Sequence, residues 1–300
     1  MKAFYCDDFV LPLPPEHRFP MRKYALLRQR VIDQNLITLE NMWVPDAATD
    51  AQILRCHDAD YLAKMKTGNL SVQEIRRIGF PWSLRMVERS RRASGATIDA
   101  CLAALTDGTA VNLAGGTHHA CRDHGEGFCV FNDAAIAARD MQSRGLARRV
   151  IVIDCDVHQG NGTAQITADD PTIFTFSIHG EKNFPFRKFP SDLDIGLSNG
   201  VTDDEYLETL EEGLNRALFM ANPDLAIYIS GADPFIGDRL GKLCISKMGL
   251  AIRDELVIGT LHRTGLPVAI AMGGGYADNV DDIADIHVQT VTVAARYSRN

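Results

Sequence analysis

Apolar runs rich in β-branched residues alternate along the chain with longer amphipathic stretches. The apolar runs predict buried strands at residues 110–113, 150–154, 172–178, 225–229 and 267–272. The amphipathic stretches predict helices at residues 87–105, 133–144, 203–220 and 246–264. Strands that are apolar throughout are typical of a sheet covered on both faces, and strand–helix alternation favours parallel pairing.

No linker, repeat or low-complexity segment divides these elements. We therefore predict an α/β fold in which residues 1–300 form a single domain, with a doubly wound, mostly parallel sheet flanked by helices. Ligands of such sheets bind beyond the carboxyl ends of the strands. Four polar clusters of this sequence stand at that place, each directly after an apolar run.

The first cluster follows the strand predicted at 150–154 and has the sequence Asp154-Cys155-Asp156-Val157-His158-Gln159-Gly160-Asn161-Gly162. Residues two apart in an extended chain point to the same side, so Asp154, Asp156 and His158 are able to converge. Two carboxylates and an imidazole at one place repel and desolvate each other unless a cation holds them. The alternative is a polar loop with an N-capping Asp.

The other three clusters follow the first, fourth and fifth predicted strands. His118 and His119 come after a glycine pair, which suggests a tight loop that brings both rings to one site. Asp233 follows Ser-Gly-Ala, and Tyr276 follows three glycines that permit close backbone approach. Taken singly, each has an ordinary alternative: a structural histidine, an Asp that starts a turn, or a common glycine-rich turn.

Together and in this order, the clusters resemble the histone deacetylase family of the arginase/deacetylase fold. Two further motifs carry the resemblance, Gly127-Phe128-Cys129-Val130-Phe131-Asn132-Asp133 and Gly237-Asp238-Arg239-Leu240-Gly241. It extends from about His17 to about Tyr276. The sequence around His158 is most similar to that of the class IV-like bacterial branch of the family.

The resemblance implies a site with one catalytic ion. Asp156, His158 and Asp233 are expected to bind Zn²⁺, although the same ligands also suit Fe²⁺, Mn²⁺ or Co²⁺. The expected catalytic residues are an acid–base histidine pair with His119 as principal base, two residues that orient this pair, and an oxyanion donor: His118, His119, Asp154, Asn161 and Tyr276. Many relatives carry Asp at the Asn161 position, so this residue departs from the wider pattern.

The resemblance also implies two surrounding features. A structural K⁺ site would use side chains or backbone carbonyls of Asp154, Asp156, His158, Ser177 and Ile178. The walls of the substrate channel would include Gly127, Phe128, Phe184 and Leu240. The alternative for the two phenylalanines is ordinary core packing.

The expected reaction is hydrolysis of an acylated amine, with N-acyl-lysine as first choice and acetylpolyamines or other small amides as the alternative. A binuclear manganese ureohydrolase, like the arginases, needs further carboxylates, and here Asp233 is followed by Pro234 and Phe235. A catalytically inactive acyl-lysine binding protein is a third interpretation. Such a protein is expected to have lost catalytic groups, whereas all of them are present.

Composition limits the partners and the setting. The net charge of −8 argues against a nucleic-acid partner and suits a neutral or cationic substrate. The seven cysteines are spread without a Cys-x-x-Cys pair, as expected for reduced thiols in a cytoplasmic protein. Neither a signal peptide nor a membrane span is predicted. The sequence leaves the oligomeric state open.

Overall fold

The computed structural model of the protein describes residues 1–14 and 16–299. In this part of the chain, eight strands form one sheet. They are β1 (Ala3–Phe4), β2 (Met42–Trp43), β3 (Thr109–Asn112), β4 (Val150–Asp154), β5 (Ile173–Gly180), β6 (Leu193–Leu197), β7 (Leu225–Gly231) and β8 (Val268–Gly273). Their order is β2-β1-β3-β8-β7-β4-β5-β6, and every neighbouring pair is parallel.

Helices cover both faces of this sheet. They are α1 (Lys23–Asp33), α2 (Asp50–Ile53), α3 (Ala59–Thr67), α4 (Val72–Ile78), α5 (Leu84–Asp107), α6 (Asp133–Ser143), α7 (Asn161–Thr167), α8 (Asp203–Ala221), α9 (Lys247–Arg263) and α10 (Val280–Arg296). No helix within residues 1–14 and 16–299 is both long and apolar enough to cross a membrane.

Alternate residues of the central strands point into two separate hydrophobic cores. Val150 and Val152 of β4 belong to the core shared with α5 and α6, while Ile151 and Ile153 belong to the core on the opposite face. A strand buried on both faces must be apolar throughout, which explains the continuous runs. The predicted α/β class and the doubly wound parallel sheet are confirmed.

The register of the central strands brings their carboxyl ends to one edge. Asp154, the last residue of β4, lies opposite Ser177 of β5 and Ile229 of β7. Below this edge lies a fully buried guanidinium, that of Arg253. It donates hydrogen bonds to the Gly231 carbonyl at the end of β7 and to that of Cys155 just after β4. Arg253 thus links β4, which precedes the cluster at 154–162, to β7, which precedes Asp233.

Candidate active site

Three donor side chains converge beyond the ends of β4 and β7. Asp156 and His158 follow β4 and Asp233 follows β7, and their donor atoms all lie within 4.8 Å of one another. His158 Nδ1 is 2.9 Å from Asp156 Oδ1 and 3.1 Å from Asp233 Oδ2. All three residues are buried. The structure therefore brings together the three predicted metal ligands.

The charges of this group call for a cation. Burial and the charge of Asp156 raise the pKa of Asp233 to about 7. Burial lowers the pKa of His158, but the carboxylates of Asp156 and Asp233 outweigh it and raise that pKa to about 10. Two carboxylate oxygens and one imidazole nitrogen are donors that divalent zinc accepts, and three protein ligands leave one coordination position open. The residues present fit a catalytic divalent ion.

Backbone groups hold the two carboxylates in place. The Val157 N–H donates to Asp233 Oδ1 and the His158 N–H donates to Asp156 Oδ1, both at 2.9 Å. Gly274, at φ +55°, approaches the Asp233 carboxylate so closely that a Cβ at position 274 would lie 2.3 Å from Asp233 Oδ2. The predicted need for glycine near the site is met at this position.

The histidine pair reaches the same place through the expected tight loop. The glycines before it have φ values of +87° and +65°, and the two imidazole rings lie 4.1 Å apart. His118 Nδ1 is 2.7 Å from Asp154 Oδ2, and His119 Nδ1 is 2.7 Å from Asn161 Oδ1. Each ring thus lies beside one of the two residues that the resemblance implied would orient the pair.

These different neighbours give the two histidines opposite protonation tendencies. Burial lowers the pKa of His118, but the charges of Asp154 and Asp156 outweigh it and raise that pKa to about 9. Burial and the positive charges of His118 and His158 hold the pKa of His119 well below its usual value. The pKa values of the two imidazoles are thus shifted in opposite directions, which is the kind of difference that acid–base chemistry uses.

Tyr276 is fixed by the motif that precedes it in the chain. Its N–H donates to Asp238 Oδ2 at 2.6 Å, and its carbonyl accepts from Arg239 Nε at 2.7 Å. The phenol ring lies 6.3 Å from the His158 ring and nearly perpendicular to it. Asp238 and Arg239 thereby explain the Gly237–Gly241 motif, since they clamp the backbone of Tyr276 from both sides.

A cavity of about 790 Å³ opens onto this group. His119, His158 and Tyr276 line it together with the four predicted channel residues: Gly127, Phe128, Phe184 and Leu240. The Phe184 ring meets the His119 ring edge-on at 4.9 Å. A Cβ at Gly127 would lie 2.6 Å from His119 Cδ2, so this wall of the cavity has room only for glycine.

Comparison with known proteins matches residues 17–291 to the histone deacetylase domain. The chain belongs to the histone deacetylase family. It is 47% identical over 94% of its length to an uncharacterized protein of Picosynechococcus sp. (strain ATCC 27264 / PCC 7002 / PR-6), of which it covers 94%. It is 30% identical to histone deacetylase 2 of Arabidopsis thaliana, over 89% of this chain and 74% of that protein.

The fold agrees with this assignment. A crystal structure of an HDAC homolog complexed with SAHA superimposes with a TM-score of 0.84 at 23% identity, over 98% of this chain and 84% of that one. Membership of the histone deacetylase family makes the protein a hydrolase of the deacetylase type.

Two residues of this histone deacetylase family member bear on the site without having been predicted. One is Glu126, whose Oε1 accepts a hydrogen bond of 2.7 Å from Asn161 Nδ2. An amide is able to present either oxygen or nitrogen to a neighbour, whereas a carboxylate only accepts. Glu126 therefore selects the orientation in which Asn161 turns its oxygen to His119.

The other is Lys23, a buried lysine at the start of α1. Its ammonium group donates to the carbonyls of Gly274 and Gly275 in the turn before Tyr276. Burial lowers the pKa of Lys23 to about 8. The first helix of the chain thus supports the turn that carries the phenol.

A second group of donor atoms, from Cys121, His124 and Glu126, also lies within 4.8 Å. Glu126 is already bonded to Asn161, and burial raises the pKa of the Cys121 thiol to about 12. A thiol binds metals as the thiolate. We therefore assign no ion to this group.

The residues predicted for potassium are close in the sheet. Asp154 and Ser177 are register partners on β4 and β5, and Ile178 and His158 follow them. The side chains of Asp154 and Ser177 are buried, and Ser177 Oγ lies 3.0 Å from His179 Nδ1. Their proximity agrees with the predicted K⁺ site, which itself stays a prediction.

Proposed function

We propose that residues 1–300 form one catalytic domain, a zinc-dependent deacylase that hydrolyses the amide of an N-acyl-lysine. The observation that carries the proposal is the convergence at one cavity of three metal-type donors, two oppositely tuned histidines and a phenol. Family membership supports the deacetylase class. The seven free cysteines support a reducing, cytoplasmic setting.

Asp156, His158 and Asp233 are proposed to hold the ion, with Zn²⁺ favoured and Fe²⁺, Mn²⁺ and Co²⁺ compatible with the same donors. When bound, a divalent ion supplies Lewis acidity that polarises a carbonyl and lowers the pKa of a water. The buried carboxylates of this chain bring two negative charges to that position. A structural K⁺ beside Asp154 and Ser177 is proposed as well.

The histidines are proposed to move the protons. His119 has its Nδ1 occupied by Asn161, so Nε2 of the neutral ring is free to take a proton from the attacking water. The new C–O bond forms as the carbonyl π electrons move to oxygen. The Tyr276 hydroxyl then donates a hydrogen bond to that oxyanion.

Collapse of this species breaks the C–N bond. The departing nitrogen takes a proton from a protonated histidine, and the products are a carboxylate and a free amine. His118, held cationic by Asp154, keeps positive charge beside the developing negative charge. The channel residues Gly127, Phe128, Phe184 and Leu240 are proposed to surround the acyl-amine chain.

An activity panel tests the substrate class. We expect the zinc-loaded protein to hydrolyse lysine peptides that carry acyl groups from acetyl to myristoyl, and a chelator to abolish the reaction. Turnover of acetylputrescine or acetylspermidine alone would favour the small-amide alternative. Hydrolysis of simple esters or guanidines, with none of acylated amines, would overturn the assignment. Binding of acyl-lysine peptides without any turnover would favour the inactive binding protein.

The double substitution Asn161→Asp/Glu126→Gln is expected to shift the acidic limb of kcat/KM to higher pH. A carboxylate in place of the Asn161 amide would accept the same bond from His119 and add a negative charge, which favours protonated imidazole and raises the His119 pKa. The neutral base would then be reached only at higher pH. Glu126→Gln avoids two facing carboxylates, because a glutamine amide is able to donate.

The control for this profile is Glu126→Gln alone, which adds no negative charge beside His119. Metal content is measured in each protein, since loss of the ion would also change the profile. If the acidic limb of the kcat/KM profile stays in place or moves to lower pH in the double variant, the residue at position 161 does not control the titration of His119.

A further inference from the structure

We propose that the preferred substrate is an acyl-lysine within an acidic stretch of polypeptide, which docks on basic side chains around the mouth of the cavity. This inference rests on the proposed deacylase function and specifies its substrate. The side chains, which we call the basic rim, are exposed and line the cavity: Arg18, Arg76, Arg77, Lys182 and Lys242.

The charge of the basic rim is opposite to that of the whole chain. The protein carries a net charge of −8, yet among the described residues that line the cavity the only carboxylates are those of Glu16 and Glu126. Glu126 is turned to Asn161 by its hydrogen bond. The mouth of the cavity is therefore positive on an otherwise acidic protein.

The rim charges are also uncompensated. Within residues 1–14 and 16–299, no rim side chain has a carboxylate within 4.0 Å. Many other basic side chains of the protein do form ion pairs, among them Arg30 and Lys247. Five cations without an internal carboxylate partner are available to an anionic ligand.

Backbone contacts hold the rim next to the channel. The Arg77 carbonyl accepts a hydrogen bond of 3.1 Å from the N–H of Gly127, the glycine packed against His119. Two further members of the rim are joined directly, because Lys242 Nζ donates to the Lys182 carbonyl at 2.9 Å. The backbone at Arg77 and Lys182 is thus held in place, so a ligand orders little of this backbone when it binds.

Such an arrangement selects among the substrates that share the acyl-amine group. Charges at the mouth of a cleft act over a Debye length of about 8 Å at physiological ionic strength. They raise association rates of oppositely charged ligands by roughly ten- to a thousandfold. Acidic flanking residues are attracted, while acetylpolyamines and Lys- or Arg-rich peptides are repelled. The local charge thereby reverses what the net charge of the chain suggests.

The test compares three acetyl-lysine peptides that differ only in their flanking residues, which are Asp, Ala or Lys, together with acetylspermidine. With the zinc-loaded protein at low salt, kcat/KM for the Asp peptide should exceed that for the Ala peptide by about tenfold. The Lys peptide and acetylspermidine should be poorest. High salt should narrow these differences, because it screens exposed charges.

Charge-reversing substitutions test whether the preference for the Asp peptide arises from the basic rim. Arg77→Glu and Lys242→Glu should each lower the Asp-to-Ala ratio of kcat/KM by several fold, and together by about tenfold or more. A ratio of two substrates on one protein sample does not change if part of the sample is unfolded. Arg216→Glu, on the exposed face of α8 and outside the cavity, makes the same charge change and should keep the wild-type ratio.

The outcomes separate this inference from the function on which it rests. Equal use of the three peptides, a preference for the Lys peptide or acetylspermidine, or an unchanged ratio in the double variant would overturn the role of the basic rim. Turnover in those cases would leave the deacylase function standing. Failure to hydrolyse any acylated amine would instead remove the proposed function itself.

Discussion

Replacing His158 by alanine is expected to remove both the bound ion and the activity. Its Nδ1 is the nitrogen that faces the carboxylates of Asp156 and Asp233, so the variant loses one of three donors. Metal ions supply several kcal/mol of transition-state stabilisation. At about 1.4 kcal/mol per tenfold in rate, the loss should be on the order of a thousandfold or more. Asp156→Ala and Asp233→Ala should behave alike.

Metal content per chain, measured after loading with zinc and dialysis, checks this prediction beside the rate. The matched controls are His262→Ala and Asp204→Ala, which remove the same side-chain types from exposed helix positions. Both should keep wild-type metal content and turnover. Full metal occupancy in all three ligand variants would show that the ion binds elsewhere.

Tyr276→Phe is expected to lower kcat by about a hundred- to a thousandfold, the usual cost of losing one oxyanion donor. The ring packs against its neighbours and the backbone is held by Asp238 and Arg239, so fold and metal content should not change. Because the lost hydrogen bond acts mainly on the developing oxyanion, KM should change much less than kcat.

The control for the tyrosine variant is Tyr297→Phe. The Tyr297 hydroxyl donates to Glu255, and the residue does not line the cavity, so its removal should leave turnover as it is. Wild-type turnover in Tyr276→Phe would exclude the phenol from the mechanism, and loss of the ion in that variant would assign it a structural role instead.

The central strands were predictable because both of their faces are buried. The range 150–154 coincides with β4, and the ranges 225–229 and 267–272 differ from β7 and β8 by two residues or fewer at each end. Helix α5 is longer than the predicted 87–105, since it runs from Leu84 to Asp107. Some other helix ends differ because a capping residue was included. The predicted helix 246–264 begins one residue early, since Ser246 is the N-cap of α9 and its hydroxyl accepts from the Gly249 N–H.

Strands and helices away from the centre of the sheet have weaker sequence patterns. Strands β1 and β2 have two residues each, too few for any periodicity. Strand β6 is an edge strand with a largely exposed middle, so it has no continuous apolar run. Helix α10 lies outside the predictions because it is rich in Val, Ile and Thr, residues that lose rotamer freedom in helices and favour strands.

The residues of the site also differ in whether local sequence predicts their positions. Asp156, His158, Asp233 and Tyr276 follow strands that end at one edge, so strand positions suffice to bring them together; their catalytic roles stay predictions. Lys23 contacts a turn 251 residues away in the chain, and no local pattern signals such a contact.

The order of the strands has a consequence for how the polypeptide is completed during synthesis. Strand β8 is the last of the eight to leave the ribosome, yet it pairs with β3 on one side and with β7 on the other. Until it arrives, both neighbours present unpaired edges, which invite aggregation. The histidine pair after β3 and the donors after β4 and β7 become one site only when this strand joins the two halves. A nascent chain that stops before residue 268 therefore exposes unpaired strand edges and lacks the assembled site, so both solubility and function depend on the arrival of this one strand.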